Sequence, residues 1–230
     1  MRRRPSVPGP AGVLVLIAAL SGCSAGDALD MAAEAGMDAR RSVLSAFVAP
    51  APQTRALGAP LAAAARPARP LSRRVVAEDL LTGEEMRLTP RPVGARSVEV
   101  TEPDGCRWRR DDWFAPSTWW RGCGEAGSWR DGRAELTGGA GLWPLRLGAE
   151  ARWRRRAESS AGRAYVRDTV CRVEDAVELL RPGREPAPVF VVACDDGKRV
   201  RTTWWAPGEG PLAFRVARRG QGVEQVWVAR

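Results

Sequence analysis

The chain has 230 residues, of which 44% are hydrophobic and 27% are charged. This composition is typical of a soluble globular protein and argues against a polytopic membrane protein and against a wholly disordered chain. The formal net charge is +9, and Lys198 is the single Lys among 36 basic residues, a ratio more typical of GC-rich codon usage than of a phosphate-binding surface. Histidine is absent, which excludes every catalytic mechanism that needs an imidazole, as well as the usual zinc enzymes.

The first 22 residues have the pattern of a bacterial export signal. Three Arg at positions 2–4 form a positively charged start, and positions 11–20 form an apolar stretch of ten residues. This stretch is too short to span the hydrocarbon core of a bilayer. It runs into the tetrapeptide Leu20-Ser21-Gly22-Cys23.

This tetrapeptide resembles the lipobox of bacterial lipoproteins, which reads Leu, then Ala or Ser, then Gly or Ala, then Cys. The resemblance covers only the leader and implies that a type II signal peptidase removes residues 1–22. It also implies that Cys23 becomes the first mature residue and carries a diacylglycerol thioether, often with a further acyl chain such as palmitate on its amino group. Two or three acyl chains anchor a protein stably in a membrane. The alternative is a cleaved secretory peptide or a short membrane helix, with Cys23 unmodified.

The residue after the lipidation site indicates which membrane holds the anchor. In lipoproteins of Gram-negative bacteria, Asp at this position signals retention in the inner membrane. The chain has Ser24 here, which favours the periplasmic side of the outer membrane. Export also argues against a nucleic-acid partner, although Arg and Trp alternate at 107–109. The expected partners are the membrane and an envelope protein, a lipid or peptidoglycan.

The mature chain is predicted to have three segments. Residues 23–47 contain apolar residues near helical spacing and are predicted to form a short helix beside the anchor. Residues 48–70 hold five Pro and nine Ala, a composition typical of an extended linker, with a packed loop as the alternative. Residues 71–230 contain all ten Trp and are long enough to bury a sizeable core.

The domain from 71 to 230 is predicted to be mainly β, because short alternating runs are separated by Gly, Pro and Asp. Alternation is clear at Val98 and Val100 and again from Trp143 to Leu147. The longest alternating run is 165–173, and the segment 173–181 suits either its continuation or a second helix.

The C-terminal third gives the clearest pattern, with four strands separated by tight turns. The predicted strands are 189–194, 200–205, 212–218 and 223–229. We therefore expect an antiparallel meander in a curved sheet or half-barrel. This architecture is loosely similar to the half-barrel proteins that handle lipoproteins in the periplasm. The segments 171–173, 191–194 and 203–207 also resemble uncharacterised exported β-rich bacterial proteins, which bring no known activity.

Four cysteines remain once Cys23 is assigned to the lipid: Cys106, Cys123, Cys171 and Cys194. Export places them in an oxidising compartment, where an even number of cysteines is typical of disulfides. Three connectivities exist, and neighbours in sequence favour Cys106–Cys123 and Cys171–Cys194. No closely spaced Cys pair is present, so neither a zinc cluster nor a redox pair is expected.

Catalytic and cofactor motifs are not apparent. The acidic pairs 111–112, 174–175 and 195–196 place two carboxylates side by side, whereas glycoside hydrolysis needs them opposed across a cleft. Asp195 and Asp196 are typical of a hairpin turn. The glycine-rich stretch 138–141 lacks the Lys of a phosphate-binding loop and indicates a flexible turn. We expect no enzyme activity, no cofactor and no metal site.

Two Trp doublets are the candidate ligand-contact residues: Trp119-Trp120 and Trp204-Trp205. On a strand, the two members of a doublet point to opposite faces. Either both faces of the sheet are covered, or one Trp of each doublet faces solvent or a groove and forms an aromatic platform for a ligand.

These observations favour a membrane-anchored envelope lipoprotein with a non-catalytic structural or binding domain. The alternative is a lipid or lipoprotein carrier that encloses an apolar cavity in a curved β-sheet.

Overall fold

The computed structural model of the protein describes residues 50–67, 72–94, 97–123 and 129–230. These residues form strands, turns and loops, and none of them is helical. In particular, no helix long and apolar enough to cross a membrane occurs in the described ranges. The predicted helix within 23–47, the leader and Cys23 lie outside them.

The described residues form thirteen strands. In chain order they are β1 (Thr54–Ala56), β2 (Val75–Asp79), β3 (Glu85–Val93), β4 (Ser97–Thr101), β5 (Arg107–Arg110), β6 (Trp119–Arg121), β7 (Gly132–Gly138), β8 (Glu150–Ser159), β9 (Ala164–Leu179), β10 (Ala187–Asp195), β11 (Arg199–Ala206), β12 (Gly210–Arg218) and β13 (Gly222–Ala229).

Twelve of these strands, β2 to β13, close into an antiparallel barrel. Each strand pairs with the next along the chain, and β13 returns to pair with β2 through Trp227↔Asp79 and the two following pairs. The predicted antiparallel meander is confirmed, and the sheet goes beyond a half-barrel because its two edges meet. Closure gives the edge strands β2 and β13 hydrogen-bonding partners, which an open sheet would leave exposed.

The predicted linker 48–70 is attached to the barrel where the structure describes it. β1 pairs with the C-terminal end of β9, from Thr54↔Leu179 to Ala56↔Val177. Further along, Ala64 is buried and exchanges backbone hydrogen bonds of 2.9 and 2.8 Å with Leu145. Backbone pairing does not depend on large apolar side chains, so an Ala- and Pro-rich composition does not prevent this docking.

The long run 165–173 is part of β9, and the ambiguous segment 173–181 continues the same strand to Leu179. The four C-terminal strands lie where the alternation predicts them. The stretch from Trp143 to Leu147 instead belongs to the loop between β7 and β8. Three glycines with positive φ, Gly138, Gly139 and Gly141, end β7 before this stretch.

Both disulfides of the neighbour pairing occur in the structure. Cys171 and Cys194 are directly opposite each other on β9 and β10, and Cys106 and Cys123 flank the hairpin of β5 and β6. They close loops with sequence separations of 23 and 17 residues.

A barrel of twelve strands is too wide for strand side chains alone to fill. The loop 111–118 between β5 and β6 enters the interior and is called the plug here. Its Phe114 is 2% exposed, and the carbonyl oxygen of Phe114 lies 3.6 and 3.7 Å from the sulfur atoms of Cys171 and Cys194. Since those cysteines belong to strands on the far side of the barrel from β5, the plug crosses the interior.

The side chain of Asp112 gives the plug its shape. Its Oδ1 accepts a 3.0 Å hydrogen bond from the backbone N–H of Phe114, and its Oδ2 accepts a 2.7 Å bond from Trp143 Nε1. Arg66 forms an ion pair of 3.3 Å with the same carboxylate. Asp112 of the acidic pair 111–112 therefore organises one end of the barrel. By contrast, Asp195 and Asp196 accept bonds from backbone N–H groups of the β10–β11 turn, as predicted.

Candidate ligand-binding site in the barrel lumen

Consecutive antiparallel hairpins alternate between the two ends of the barrel. The plug and the loop between β7 and β8 share one end, here called the closed end, where Phe114 and Trp143 pack with ring centroids 5.6 Å apart. The turns of the hairpins β2–β3, β4–β5, β10–β11 and β12–β13 share the other end, here called the open end. Cavities in the lumen reach this open end.

Two adjoining cavities occupy the lumen above the plug, with volumes of about 620 and 600 Å³. Both are within the usual size range of small-molecule sites. Trp108 and Arg199 line both of them and mark their boundary.

The smaller cavity is called the basic chamber. Its charged lining residues are all cations, and no carboxylate of the described part of the chain lines it. The cations are Arg155, Arg167, Lys198, Arg199 and Arg218. Its aromatic lining residues are Trp108, Trp120, Trp129 and Tyr165. Planar rings and guanidinium groups together are suited to anions and to flat ligands.

The strand register places two like charges side by side in the basic chamber. Arg155 of β8 is directly opposite Arg167 of β9, an arrangement that is unfavourable when nothing compensates it. The ring of Tyr165 offsets part of this repulsion, because it interacts with both cations. The guanidinium carbons of Arg155 and Arg167 are 5.6 and 4.8 Å from its ring centroid. The Tyr165 hydroxyl also accepts a hydrogen bond from Arg155 Nη1, and Asp196 pairs with Arg167 at 3.3 Å.

Three inward-facing arginines hold the backbone of the plug. Arg110 Nη1 donates to the carbonyl of Trp113 at 3.0 Å, Arg155 Nε to that of Ser117 at 3.0 Å, and Arg201 Nη2 to that of Phe114 at 3.4 Å. None of the three arginines has an ion-pair partner within 4.0 Å among the described residues. A buried guanidinium normally needs such a partner, so the lumen carries a concentration of positive charge.

The pKa values of these arginines follow from their enclosure. Burial lowers the pKa of Arg201 to about 10. Burial also lowers the pKa of Arg110 well below its usual value, and the positive charge of Arg201 adds to this effect. For Arg155, burial lowers the pKa, and contact with Tyr165 partly opposes the change.

The larger cavity is called the acidic chamber, because carboxylates outnumber cations in its lining. The carboxylates are Asp79, Glu84, Glu85, Glu102, Asp104 and Glu224, and the cations are Arg110, Arg199 and Arg201. Glu102 is the enclosed member: its Oε1 accepts a 2.7 Å hydrogen bond from Trp108 Nε1, and burial raises its pKa. Trp113 also lines this chamber, is 6% exposed, and its indole N–H has no hydrogen-bond partner in the described residues.

Glu224 lies at the boundary between the chambers and neutralises part of the basic side. Its carboxylate pairs with Arg199 at 2.7 Å and with Arg218 at 3.2 Å. Two of the five cations of the basic chamber are therefore compensated by a carboxylate of the acidic chamber. The opposite charges of the two chambers meet along this contact.

Glu102, Asp104 and Cys106 lie close enough to suggest a metal site. The sulfur of Cys106 is bonded to Cys123, so it is not available as a thiolate ligand. Two carboxylates on a turn do not by themselves define a metal site, and we assign none here.

The four predicted ligand-contact Trp residues have different positions. Trp120 lines the basic chamber and is 8% exposed. Trp205 packs in the closed end, with its ring centroid 5.3 Å from that of Phe114, and Trp204 points to the opposite face and is also buried. Trp119 lies on the outer face, half-buried. The doublets are therefore not assembled into one platform.

Trp119 belongs to a separate cluster on the outside of the barrel. The guanidinium groups of Arg107 and Arg109 lie 5.6 and 5.5 Å from its ring centroid. Glu99 beneath them pairs with Arg91 and Arg109 at 3.1 Å each. Burial would raise the pKa of Glu99, but the hydrogen bond from Arg109 and the charge of Arg91 outweigh it, and the pKa is lowered.

Sequence reasoning missed the inward-facing arginines. Arg167 does fall on the alternating face that includes Cys171 and Val173, and Arg201 falls on the face of Trp205. An Arg on the apolar face of a strand is the signal that could have identified them, because arginine on a barrel interior needs a specific partner. That signal is weak in a chain with so many arginines.

Comparison with known proteins adds no relative: no family model matches the chain, and no curated protein or solved structure matches it either.

Proposed function

We propose that the protein is a lipid-anchored envelope lipoprotein whose barrel is a non-catalytic binding domain, with the ligand held in the lumen at the open end. The observation that carries the proposal is the pair of cavities of about 620 and 600 Å³, which lie above a plug fixed by Arg110, Arg155 and Arg201. A site whose walls are fixed before the ligand arrives loses little free energy to ordering on binding.

The anchoring part of the proposal rests on the sequence. The lipobox Leu20-Ser21-Gly22-Cys23 predicts lipidation of Cys23, and Ser24 favours the outer membrane. Two disulfides in the barrel are consistent with an exported protein, since disulfides persist mainly in oxidising compartments.

The lining of the lumen distinguishes between the two binding roles that the sequence left open. A carrier for acyl chains needs a continuous apolar cavity, but the apolar part of this interior is occupied by the plug residues Trp113 and Phe114. The space above them is lined mostly by charged and aromatic side chains, and Met86, Leu88 and Val216 are the aliphatic members of the larger chamber. This arrangement favours a polar ligand over an acyl chain.

The test uses the full chain, expressed in a Gram-negative envelope and extracted in mild detergent. Denaturing mass spectrometry is expected to show loss of residues 1–22 and added diacylglycerol, and the Cys23→Ala variant is expected to lack the lipid. Absence of lipid on the wild-type chain would disprove the anchor.

Native mass spectrometry tests the lumen. We expect an additional small-molecule mass on the wild-type protein, lost in Ser117→Trp, which places an indole in the basic chamber that Ser117 lines. The matched control is Leu147→Trp, which adds the same ring at a residue that is 67% exposed. Intact disulfides and an unchanged far-UV spectrum verify that both variants fold. Equal ligand occupancy in the two variants would overturn the proposal that the lumen is the binding site.

A further inference from the structure

We propose that the basic chamber binds a small oxyanion that carries a planar ring, with the phosphate or carboxylate group held by Arg155, Arg167 and Lys198 and the ring against Trp120, Trp129 and Tyr165. This inference rests on the proposed function and names the ligand class of the same lumen.

The charge balance of the basic chamber points to an anion. Of its five cations, Arg199 and Arg218 share Glu224, and Arg167 pairs with Asp196. Arg155 and Lys198 have no carboxylate within 4.0 Å among the described residues. The chamber therefore retains positive charge that no described side chain neutralises.

The contacts of Arg155 with the plug do not account for this charge. Its Nε donates to the carbonyl of Ser117 and its Nη1 to the hydroxyl of Tyr165, while a guanidinium has five N–H donors in all. Neither Arg167 nor Lys198 makes a described hydrogen bond to the plug, so holding the plug does not explain their position.

An oxyanion would offset the cost of keeping the positive charge of Arg155 enclosed. Enclosure opposes the charged form of Arg155, and Arg167 opposes it further through like-charge repulsion. Two neighbouring arginines on adjacent strands present several N–H donors to one side of the chamber, and planar forks of this kind are suited to carboxylate and phosphate oxygens. Lys198, in the exposed turn between β10 and β11, adds a further positive charge at the entrance.

The aromatic wall explains the ring. Trp129 lies between Trp120 and Tyr165, with ring centroids 6.4 and 4.8 Å away. Trp120 is fixed by a 2.8 Å hydrogen bond from its Nε1 to the carbonyl of Trp129. The guanidinium of Arg155 lies 4.7 Å from the Trp120 ring centroid. Aromatic rings beside cations favour a flat anion over a bare ion, because ring contacts add to the charge interaction. A volume of about 600 Å³ leaves room for a ring together with its anionic group.

The experiment measures binding of three probes to the detergent-solubilised full chain by isothermal titration calorimetry. Phenyl phosphate contains both the ring and the anionic group. Inorganic phosphate has the anionic group alone, and benzyl alcohol has the ring alone. We expect phenyl phosphate to bind at least about tenfold more tightly than either of the others, a difference of about 1.4 kcal/mol in binding free energy. Its affinity is also expected to fall as salt is raised.

Variants locate the probe within the protein. Arg155→Gln and Lys198→Gln are each expected to weaken phenyl phosphate binding by about tenfold. The matched control is Arg154→Gln, which removes the same charge one residue earlier, on the outer face, where Arg154 is exposed beside Asp168. It is expected to bind within about twofold of the wild type. Lys198→Gln keeps the test valid if Arg155→Gln disturbs the plug, because Lys198 does not contact it.

The outcomes separate this inference from the proposed function. If benzyl alcohol binds as tightly as phenyl phosphate, the proposal that the ligand needs an anionic group is wrong. If inorganic phosphate binds as tightly, the proposal that the ligand needs a ring is wrong. Either result, when Ser117→Trp still abolishes binding, leaves the lumen as the binding site. Phenyl phosphate binding that Ser117→Trp leaves unchanged would overturn both proposals. A copurified ligand that is neutral and is lost in Ser117→Trp would overturn only the proposed ligand class.

Discussion

The two ends of the barrel interior solve the same packing problem in different ways. At the closed end the space between the strands is filled by the plug, whose Phe114 packs against Trp143 and Trp205 with centroids 5.6 and 5.3 Å apart. At the open end the strands carry charged side chains inward, and cavities remain. The difference shows that one strand can contribute to stability through its closed-end residues and to binding through its open-end residues.

β11 illustrates this division. Trp205, near the closed end of the barrel, lies in the aromatic cluster with Phe114. Arg201 lies nearer the open end, and Arg199 lines both chambers. Four residues along β11 thus separate Trp205, which packs in the closed end, from Arg201, which carries charge into the lumen. We expect substitutions at the closed end to lower the free energy of unfolding strongly and substitutions at the open end to act mainly on binding.

Phe114→Ala is the change with the largest expected effect. It removes a nearly fully buried ring from the centre of the closed end, and Phe→Ala substitutions in cores cost about 3–5 kcal/mol. Chemical denaturation under oxidising conditions measures the loss. Val166→Ala is the control, since Val166 is 51% exposed on the outer face of β9, and a loss there as large as in Phe114→Ala would refute the comparison.

Removal of the Cys171–Cys194 disulfide is expected to have the next largest effect. A disulfide that closes a loop of this length contributes about 3 kcal/mol, and both sulfur atoms also contact the plug through the carbonyl of Phe114. We expect the Cys171→Ala/Cys194→Ala variant to lose more stability than Cys106→Ala/Cys123→Ala, whose loop is only slightly shorter. Denaturant midpoints of the two double variants give the comparison, and equal losses would show that contact with the plug adds nothing.

The C-terminal strands of this fold could be predicted from the sequence, but most of the earlier strands and the closure of the sheet could not. Alternation in 165–173 and in the C-terminal third predicts β9 to β13, because strand periodicity is local. Pairing of Trp227 with Asp79 joins residues that are far apart in sequence. It depends on the number and tilt of all twelve strands, which no local pattern encodes.

The site was less predictable for a related reason. The plug residues 113–115 form a short apolar run in the sequence, and only the width of the closed barrel explains why they fill its interior. Arg155 has an Arg on each side in the sequence, so nothing marks it as inward-facing until the register of β8 is known. The Trp doublets, by contrast, were conspicuous, but of their four members only Trp120 lines the basic chamber.

Gly132→Ala is expected to have an intermediate effect at the open end. An added Cβ would lie 2.2 Å from Trp120 Cζ2 and 2.6 Å from the carbonyl oxygen of Glu158, so both a ring and the backbone must move. Overpacking of this kind costs about 1–3 kcal/mol. Because Trp120 lines the basic chamber, the displaced ring should also weaken phenyl phosphate binding.

The control for Gly132→Ala is Gly58→Ala, where an added Cβ meets no atom within 4 Å and φ is not positive. Thermal unfolding and titration calorimetry on both variants test the prediction. If Gly132→Ala lowers stability but leaves phenyl phosphate affinity unchanged, Trp120 does not contribute to the ligand site.

Glu102→Gln is expected to have the smallest effect and to depend on pH. Burial raises the pKa of Glu102 above its ordinary value of 4.5, so the folded state binds this proton more tightly than the unfolded state. As pH rises from 4.5 through the raised pKa, the wild-type protein therefore loses stability, and above that pKa the full loss persists. Gln retains the oxygen that accepts the hydrogen bond from Trp108 Nε1 but carries no proton to lose.

The variant should consequently be at least as stable as the wild type at pH 7 and lose this advantage near pH 4. Denaturant midpoints of both proteins at the two pH values give the difference, in which the other carboxylates cancel. The matched control is Glu84→Gln, which makes the same substitution at an exposed residue that lines the same chamber. If Glu102→Gln were instead less stable at pH 7, the attraction between Glu102 and Arg110 would outweigh the cost of burial. The acidic chamber would then stabilise the fold through its charges, and the contrast with the closed end would be weaker than the structure indicates.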